Sequence, residues 1–169
     1  MTQLLPADMD QVIEDFGHLF QVYPRFNDKN SIYADYRRTP KKLEVLFPLL
    51  IHPTHGITGL HARELYDDAG TVREYQYAWK RIIPVGGIKY SHICSWGNDS
   101  HPPETTPAEL CVNTEPHHHH HVPAPDRRLR KDSYIYTLDR AFMYVAHYIE
   151  TGETYYPDVA SAISARGLI

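Results

Sequence analysis

LHARELYDDAGTVREYQYAWKRIIPVGGIKYSHICSW, residues 60–96, reads as three short strands separated by two tight turns. Residues 60–66 carry a short strand pattern, and Asp67, Asp68, Ala69 and Gly70 form a hairpin turn signal. Residues 72–83 then alternate. Tyr75, Tyr77 and Trp79 fall on one face, and Glu74, Gln76 and Lys80 on the other. Pro84, Val85, Gly86 and Gly87 give the next turn. Residues 88–96 predict a third strand, with Ile88, Tyr90, His92, Cys94 and Trp96 on one face and His92 packed in the core. Connections this short join antiparallel neighbours, because a parallel crossover needs a dozen or more residues.

Helices flank this centre. Asp8 or Asp10 caps a first helix whose apolar side is Val12, Ile13, Phe16, Leu19 and Phe20, ended by Pro24. Residues 27–42 are polar, with Arg37, Arg38, Lys41 and Lys42 clustered, and residues 43–50 are apolar around Pro48. Residues 1–56 are therefore expected to be a helical N-terminal extension, closed by a turn at 52–56. Thr137 caps a helix with Asp139 in its first turn and Leu138, Phe142, Val145, Ala146 and Ile149 buried; Gly152 stops it. A short strand is expected at 109–113 and a last helix at 158–165. The expectation is one α+β domain: an antiparallel β-meander sheet over 57–122, packed by N-terminal and C-terminal helices.

Composition narrows the classes. At 169 residues and 42% hydrophobic, the chain can bury a core without staples. Two cysteines, Cys94 and Cys111, make no disulfide framework and no Cys-x-x-Cys pair. The first ten residues lack the basic segment and apolar run of a signal peptide, and no apolar run is long enough to cross a bilayer. The expected location is cytoplasmic. The net charge is −4 with histidines neutral, but twelve histidines can offset it in mild acid, so global charge does not choose a partner. Among 13 tyrosines and 5 phenylalanines, Tyr77 and Trp79 read first as core, and second as platforms for stacked bases.

The conspicuous feature is the histidine-dense stretch from His101 to His121, above all the run His117, His118, His119, His120 and His121. One reading is a low-complexity loop that binds metal incidentally. The other is an ordered strand, in which positions 117, 119 and 121 share a face and 118 and 120 take the opposite one. Imidazole titrates near neutrality, so two of them suffice to cut RNA without metal. One takes the proton of the 2′-hydroxyl and the other protonates the leaving 5′-oxygen. A cation then stabilises the charge on phosphorus. Lys80, Arg81, Arg127 and Arg128 are candidates, with Tyr77 as a stacking partner. Zinc is the competing chemistry, through His117, His118 and His119 with help from Asp99 and His101, but no His-Glu-x-x-His motif is present.

Three blocks in order carry a resemblance: Tyr75-Gln76-Tyr77-Ala78-Trp79; Trp96-Gly97-Asn98-Asp99-Ser100-His101-Pro102; and Pro116 followed by His117 to His121, then a helix start at Thr137-Leu138-Asp139. Over about residues 60–150 the chain resembles the TumE-like family of toxins from prokaryotic toxin–antitoxin systems. The aspartate of the second block is displaced relative to the family pattern, and the first sixty residues and the tail after Glu150 lie outside the likeness. The resemblance implies a compact antiparallel sheet with a helix, growth inhibition, RNA as target and a cognate antitoxin as partner. It carries Asn98, His101, His117, His118 and His119 over as site residues, and His121 adds to them. The expected function is a toxin-like ribonuclease with catalytic His101, His117, His119, His121 and Asn98, and no required cofactor. The alternatives are a non-catalytic RNA- or protein-binding module and a metal-binding protein that holds zinc on the histidine run.

Overall fold

The structure, a computed structural model, describes residues 3–21, 35–83, 89–99, 104–105, 108, 119–121, 130–132 and 135–155. Its frame is a seven-stranded antiparallel sheet whose strands lie in sequence order. They are β1 (Asp35–Thr39), β2 (Lys42–Pro48), β3 (Thr58–Tyr66), β4 (Val72–Ile83), β5 (Lys89–Gly97), β6 (His119–His121) and β7 (Arg130–Asp132). Helix α1 (Met9–Phe16) continues into a 3₁₀ turn at Gly17–Leu19, and α2 (Leu138–Thr151) follows the sheet. The fold is thus α+β: an antiparallel meander packed by an N-terminal and a C-terminal helix. No helix among the described residues is long and apolar enough to cross a membrane.

The long central strands run as their alternation predicts. Leu60, Ala62, Tyr75, Tyr77, Trp79, Cys94 and Trp96 are buried on one face of the sheet. The helices cover that face. Trp96 meets Tyr144 of α2 edge-on at 5.0 Å, and Trp79 lies 5.5 Å from Tyr148. Phe16 of α1 stacks on Phe142 of α2 at 5.0 Å, so the two helices share the core they cover. Asp8 caps α1 by accepting the Gln11 N–H, which satisfies one of the unpaired donors of the first turn. Gly152 ends α2 at φ +70°, a left-handed conformation that favours glycine.

Residues 35–48 depart from the expected helical extension and form the β1–β2 hairpin. The reason is period. Leu43, Val45 and Phe47 alternate with Lys42 and Glu44, a two-residue repeat that buries one face of a strand and cannot make a helical stripe. Pro48 is tolerated because it is the last residue of β2, opposite Gly59. The turn at 52–56 is as expected. His52 closes it: its Nδ1 accepts the N–H groups of Thr54 and His55, and its Nε2 donates to the Glu153 carbonyl oxygen.

Two bulges set where side chains go. Between Leu65–Glu74 and Tyr66–Val72 the ladder skips Arg73. Between Trp79–Cys94 and Lys80–His92 it skips Ile93. The second bulge overturns one expectation. Strict alternation puts His92 with Cys94 in the core, but the extra residue turns His92 to the other face, opposite Lys80, and His92 is exposed while Ile93 is buried. Among the described residues, the core also holds one carboxylate. Glu64 is buried and accepts the hydroxyls of Tyr66 (2.8 Å) and Tyr77 (2.7 Å) and the N–H of Ala7 (3.1 Å). Three donors offset its desolvation and tie the N-terminal segment to the sheet. The strand expected at 109–113 and the helix expected at 158–165 lie outside the described residues.

Candidate functional site

The face of the sheet opposite the helices gathers the polar side chains of the central strands. Cross-strand register orders them in rows. One row runs Glu44, Arg63, Gln76, Gly97, position 119 and position 132; the next runs Leu46, His61, Ala78, Ser95, position 121 and position 130. Rows on one face are two residues apart along a strand, about 6–7 Å. His119 and His121 therefore belong to the rows of Gln76 and Ala78. His120 is paired with Trp96 and Lys131, in the row of the helix-covered face. The alternation expected from the histidine run is thus the alternation of β6.

At the β2–β4 end of this face, three polar groups touch in series. Lys80 donates from Nζ to His61 Nδ1 at 3.2 Å, and His61 Nε2 lies 3.5 Å from Glu44 Oε1. The other Glu44 oxygen takes the Lys42 ammonium at 2.5 Å. Lys42 is the main reason that the Glu44 carboxyl titrates below its usual range, with His61 contributing. Partial burial lowers the Lys80 ammonium from its ordinary value, while Glu44 acts in the opposite direction.

At the β4–β5 end, Arg63, Leu65, Glu74, Tyr75, Gln76 and Asp99 line a cleft of about 340 Å³. The row of position 119 leads into it through Gly97 and Gln76. Gly97 leaves the approach open to backbone: a Cβ there would stand 3.1 Å from the Tyr75 carbonyl oxygen. A larger cavity, about 680 Å³, lies by the helices among Leu4, Pro6, Val12, Tyr136, Leu138 and Arg140, and none of the expected site residues lines it.

The expected site residues separate into groups. Asn98 has both ends of its carboxamide engaged by β4: Oδ1 accepts the Tyr75 N–H at 2.9 Å and Nδ2 donates to the Arg73 carbonyl at 3.1 Å. These two contacts tie the end of β5 to β4. Tyr77 is buried with its hydroxyl on Glu64, so the expected stacking platform is core. Arg81 belongs to the opposite face from Lys80, with Nη2 3.2 Å from His55 Nδ1 beside the helix C-terminus. Lys80 alone of the two expected β4 cations stands with the polar rows. His101, His117, His118, Arg127 and Arg128 lie outside the described residues, and His119 and His121 are described by their strand positions.

Glu44, His61 and Arg63 are polar residues of this face that the sequence reading did not single out. The signal was present: with Leu60 and Ala62 assigned inward, alternation sends His61 and Arg63 outward. Among the described residues, no three His, Cys, Asp or Glu side chains are grouped to hold a metal ion. No protein-family model, no curated protein and no solved structure matches this chain.

Proposed function

We propose that the chain is a toxin-like ribonuclease that cuts RNA on the face of the sheet opposite the helices, with His119 and His121 as the acid–base pair. The observation that carries this reading is the register of β6: positions 119 and 121 fall in the rows of Arg63–Gln76 and His61–Ala78, while 120 does not. In the reaction, one imidazole takes the 2′-hydroxyl proton as the O2′–phosphorus bond forms. The other gives its proton to the 5′-oxygen as the phosphorus–O5′ bond breaks. Lys80 and Arg63 supply positive charge for the phosphate. The likeness of residues 60–150 to TumE-like toxins supports the same reading, makes a cognate antitoxin the expected protein partner, and puts the activity in the cytoplasm.

The test is cleavage of single-stranded RNA by purified protein in EDTA, with His119→Ala alongside. Cleavage that survives EDTA and falls by about 10²–10⁴-fold in the variant supports the reading. RNA that is bound but left uncut turns it into a non-catalytic binding module. Cleavage lost in EDTA and restored by zinc replaces the metal-free mechanism with a metal-dependent one.

A further inference from the structure

We propose that the cleft at Glu74 and Gln76 is a base-specificity site that takes the guanine of a guanosine nucleotide, with the Glu74 carboxylate on its Watson–Crick edge. The inference rests on the ribonuclease reading for its ligand class and deepens it by naming the base beside which RNA is cut. Its geometry comes from the sheet alone.

Two adjacent cross-strand pairs on the face opposite the helices build the cleft. Leu65 of β3 stands opposite Glu74 of β4, and Arg63 opposite Gln76. Its volume of about 340 Å³ is at the small end of the roughly 300–1,000 Å³ that small-molecule sites occupy, a size that suits one base. Leu65 and Glu74 are half-buried, while Arg63 and Gln76 are exposed. Leu65 offers an apolar surface to the face of a ring. The side chains of Glu74, Gln76 and Arg63 make no hydrogen bond or ion pair with any described residue. A half-buried carboxylate without a donor is a group that a ligand can satisfy.

The balance of acceptors chooses the base. Asp99 is the second carboxylate of the lining, and its Oδ1 lies 3.3 Å from where a Cβ on Gly97 would stand. Two carboxylates repel a phosphate, so the interior of the cleft favours a group with N–H donors. An ionised carboxylate accepts at both oxygens. Guanine alone of the four RNA bases presents two adjacent donors on one edge, N1–H and the N2 amino group. Adenine and cytosine set a ring-nitrogen acceptor beside their amino group, and uracil sets carbonyls on both sides of its N–H. Each of these turns a lone pair toward Glu74. Gln76, about 6–7 Å along the strand, donates from its carboxamide to guanine O6. Arg63, at the exposed edge, remains for the phosphate. The cleft also lies in register with the acid–base pair: Gln76 pairs with Gly97, and Gly97 with position 119. Two strand spacings of about 4.8 Å put the backbones of Gln76 and position 119 about 10 Å apart, within reach of the sugar and phosphate of a nucleotide whose base is in the cleft.

The experiment titrates the intact protein calorimetrically with the 5′-monophosphates of guanosine, adenosine, cytidine, uridine and inosine; inosine is guanosine without the N2 amino group. Guanosine monophosphate is expected to bind about tenfold more tightly than any of the others, the contribution of one hydrogen bond to a charged group. Glu74→Gln is expected to weaken it about tenfold, to leave the adenosine, cytidine and uridine nucleotides within about twofold, and to erase the difference between guanosine and inosine. Gln76→Ala is expected to weaken guanosine and inosine nucleotides alike, by about threefold, because both keep O6. Equal binding of the guanosine and inosine nucleotides by the parent overturns the site and needs no variant. Equal weakening of all five by Glu74→Gln, or a guanosine preference that survives it, overturns the site as well. RNA cleavage mapped on the same preparations separates this failure from the other. Cleavage without a guanosine preference in binding removes the site and leaves the ribonuclease reading standing. A guanosine preference without cleavage keeps the site and removes that reading.

Discussion

The side-chain amide of Asn98 donates to the carbonyl oxygen of Arg73 at 3.1 Å, and Arg73 is the residue that the β3–β4 ladder skips. A bulge leaves a backbone group without its cross-strand partner, and Asn98 takes it from the next strand. The same side chain accepts the Tyr75 N–H, so two backbone groups of β4 depend on one residue at the end of β5. Asn98→Ala is expected to cost about 1–3 kcal/mol of stability in urea unfolding, the penalty for leaving such groups unsatisfied. Asn98→Asp keeps the acceptor for Tyr75 but sets an oxygen against the Arg73 carbonyl, and is expected to be no better. If either variant is as stable as the parent, Asn98 is not the clamp described above.

How much of this was legible follows from period. The helices and the 60–96 meander were, because Asp8, Thr137 and Gly152 punctuate helical repeats and the Tyr75–Trp79 alternation runs unbroken. The β1–β2 hairpin was not, because Pro48 interrupts a short apolar stretch that alone fits a strand or a buried turn. The position of His92 was not, because a single bulged residue, Ile93, reverses parity without leaving a mark in composition. The polar face was half legible. Alternation gives His119 and His121 one side, but the approach of Lys80 to His61 is diagonal between strands and depends on register, which a sequence does not state.

The turn at 52–56 carries an acid-sensitive contact. His55 is buried, its Nε2 accepts the Tyr155 N–H at 3.2 Å, and Arg81 stands 3.2 Å from Nδ1. Desolvation first, then the charges of His52 and Arg81, push its pKa from 6.5 down to about 4. A histidine depressed in the folded state contributes stability that is full above its unfolded value and is lost as pH falls through the folded one. Thermal melts are therefore expected to fall between pH 6.5 and about 4. His55→Gln, which cannot gain a proton, is expected to flatten that limb. An equally steep limb in the variant assigns the loss to other groups.

At the other end of the scale, the core is rich in protected phenols. Burial raises Tyr66, Tyr75, Tyr77, Tyr144 and Tyr155 well above their usual 10.0, and moves Tyr148 to about 12. The unfolded chain gives up these protons first, so stability is intact below pH 10 and falls above it by up to about 1.4 kcal/mol per pH unit for each tyrosine. The expected result is cooperative alkaline unfolding, with tyrosinate absorbance rising in the same step as loss of circular dichroism. Tyrosines that titrate gradually near pH 10 in a chain that stays folded contradict this burial.

Gly59 bears on packing. A Cβ there would lie 2.9 Å from the tips of Ile82 and Leu46 and 3.1 Å from the Phe47 carbonyl oxygen. The two methyls have some room to turn, but the backbone oxygen does not. Gly59→Ala is expected to destabilise by about 1–3 kcal/mol, the usual cost of overpacking. A Gly59→Ala variant as stable as the parent in urea unfolding contradicts this packing.

The histidine run offers a comparison in which chemistry is constant and only strand parity varies. His119 pairs with Gly97 and His121 with Ser95, in the rows of the face opposite the helices; His120 pairs with Trp96, in the row of the covered face. Each residue is substituted with alanine alone, and RNA cleavage is measured in EDTA. His119→Ala and His121→Ala are expected to lower the rate by about 10²–10⁴-fold, the contribution of a positioned acid or base. His120→Ala is expected to act through stability, and cleavage per folded molecule is expected to stay near the parent value. The pH profile adds a second discriminant. With an acid and a base of the same kind, the parent follows a bell, and loss of either catalytic histidine removes one limb of it. Equal losses in all three variants make the run a metal- or anion-binding tract in which number matters and position does not. A loss confined to His120 reverses the assignment of faces.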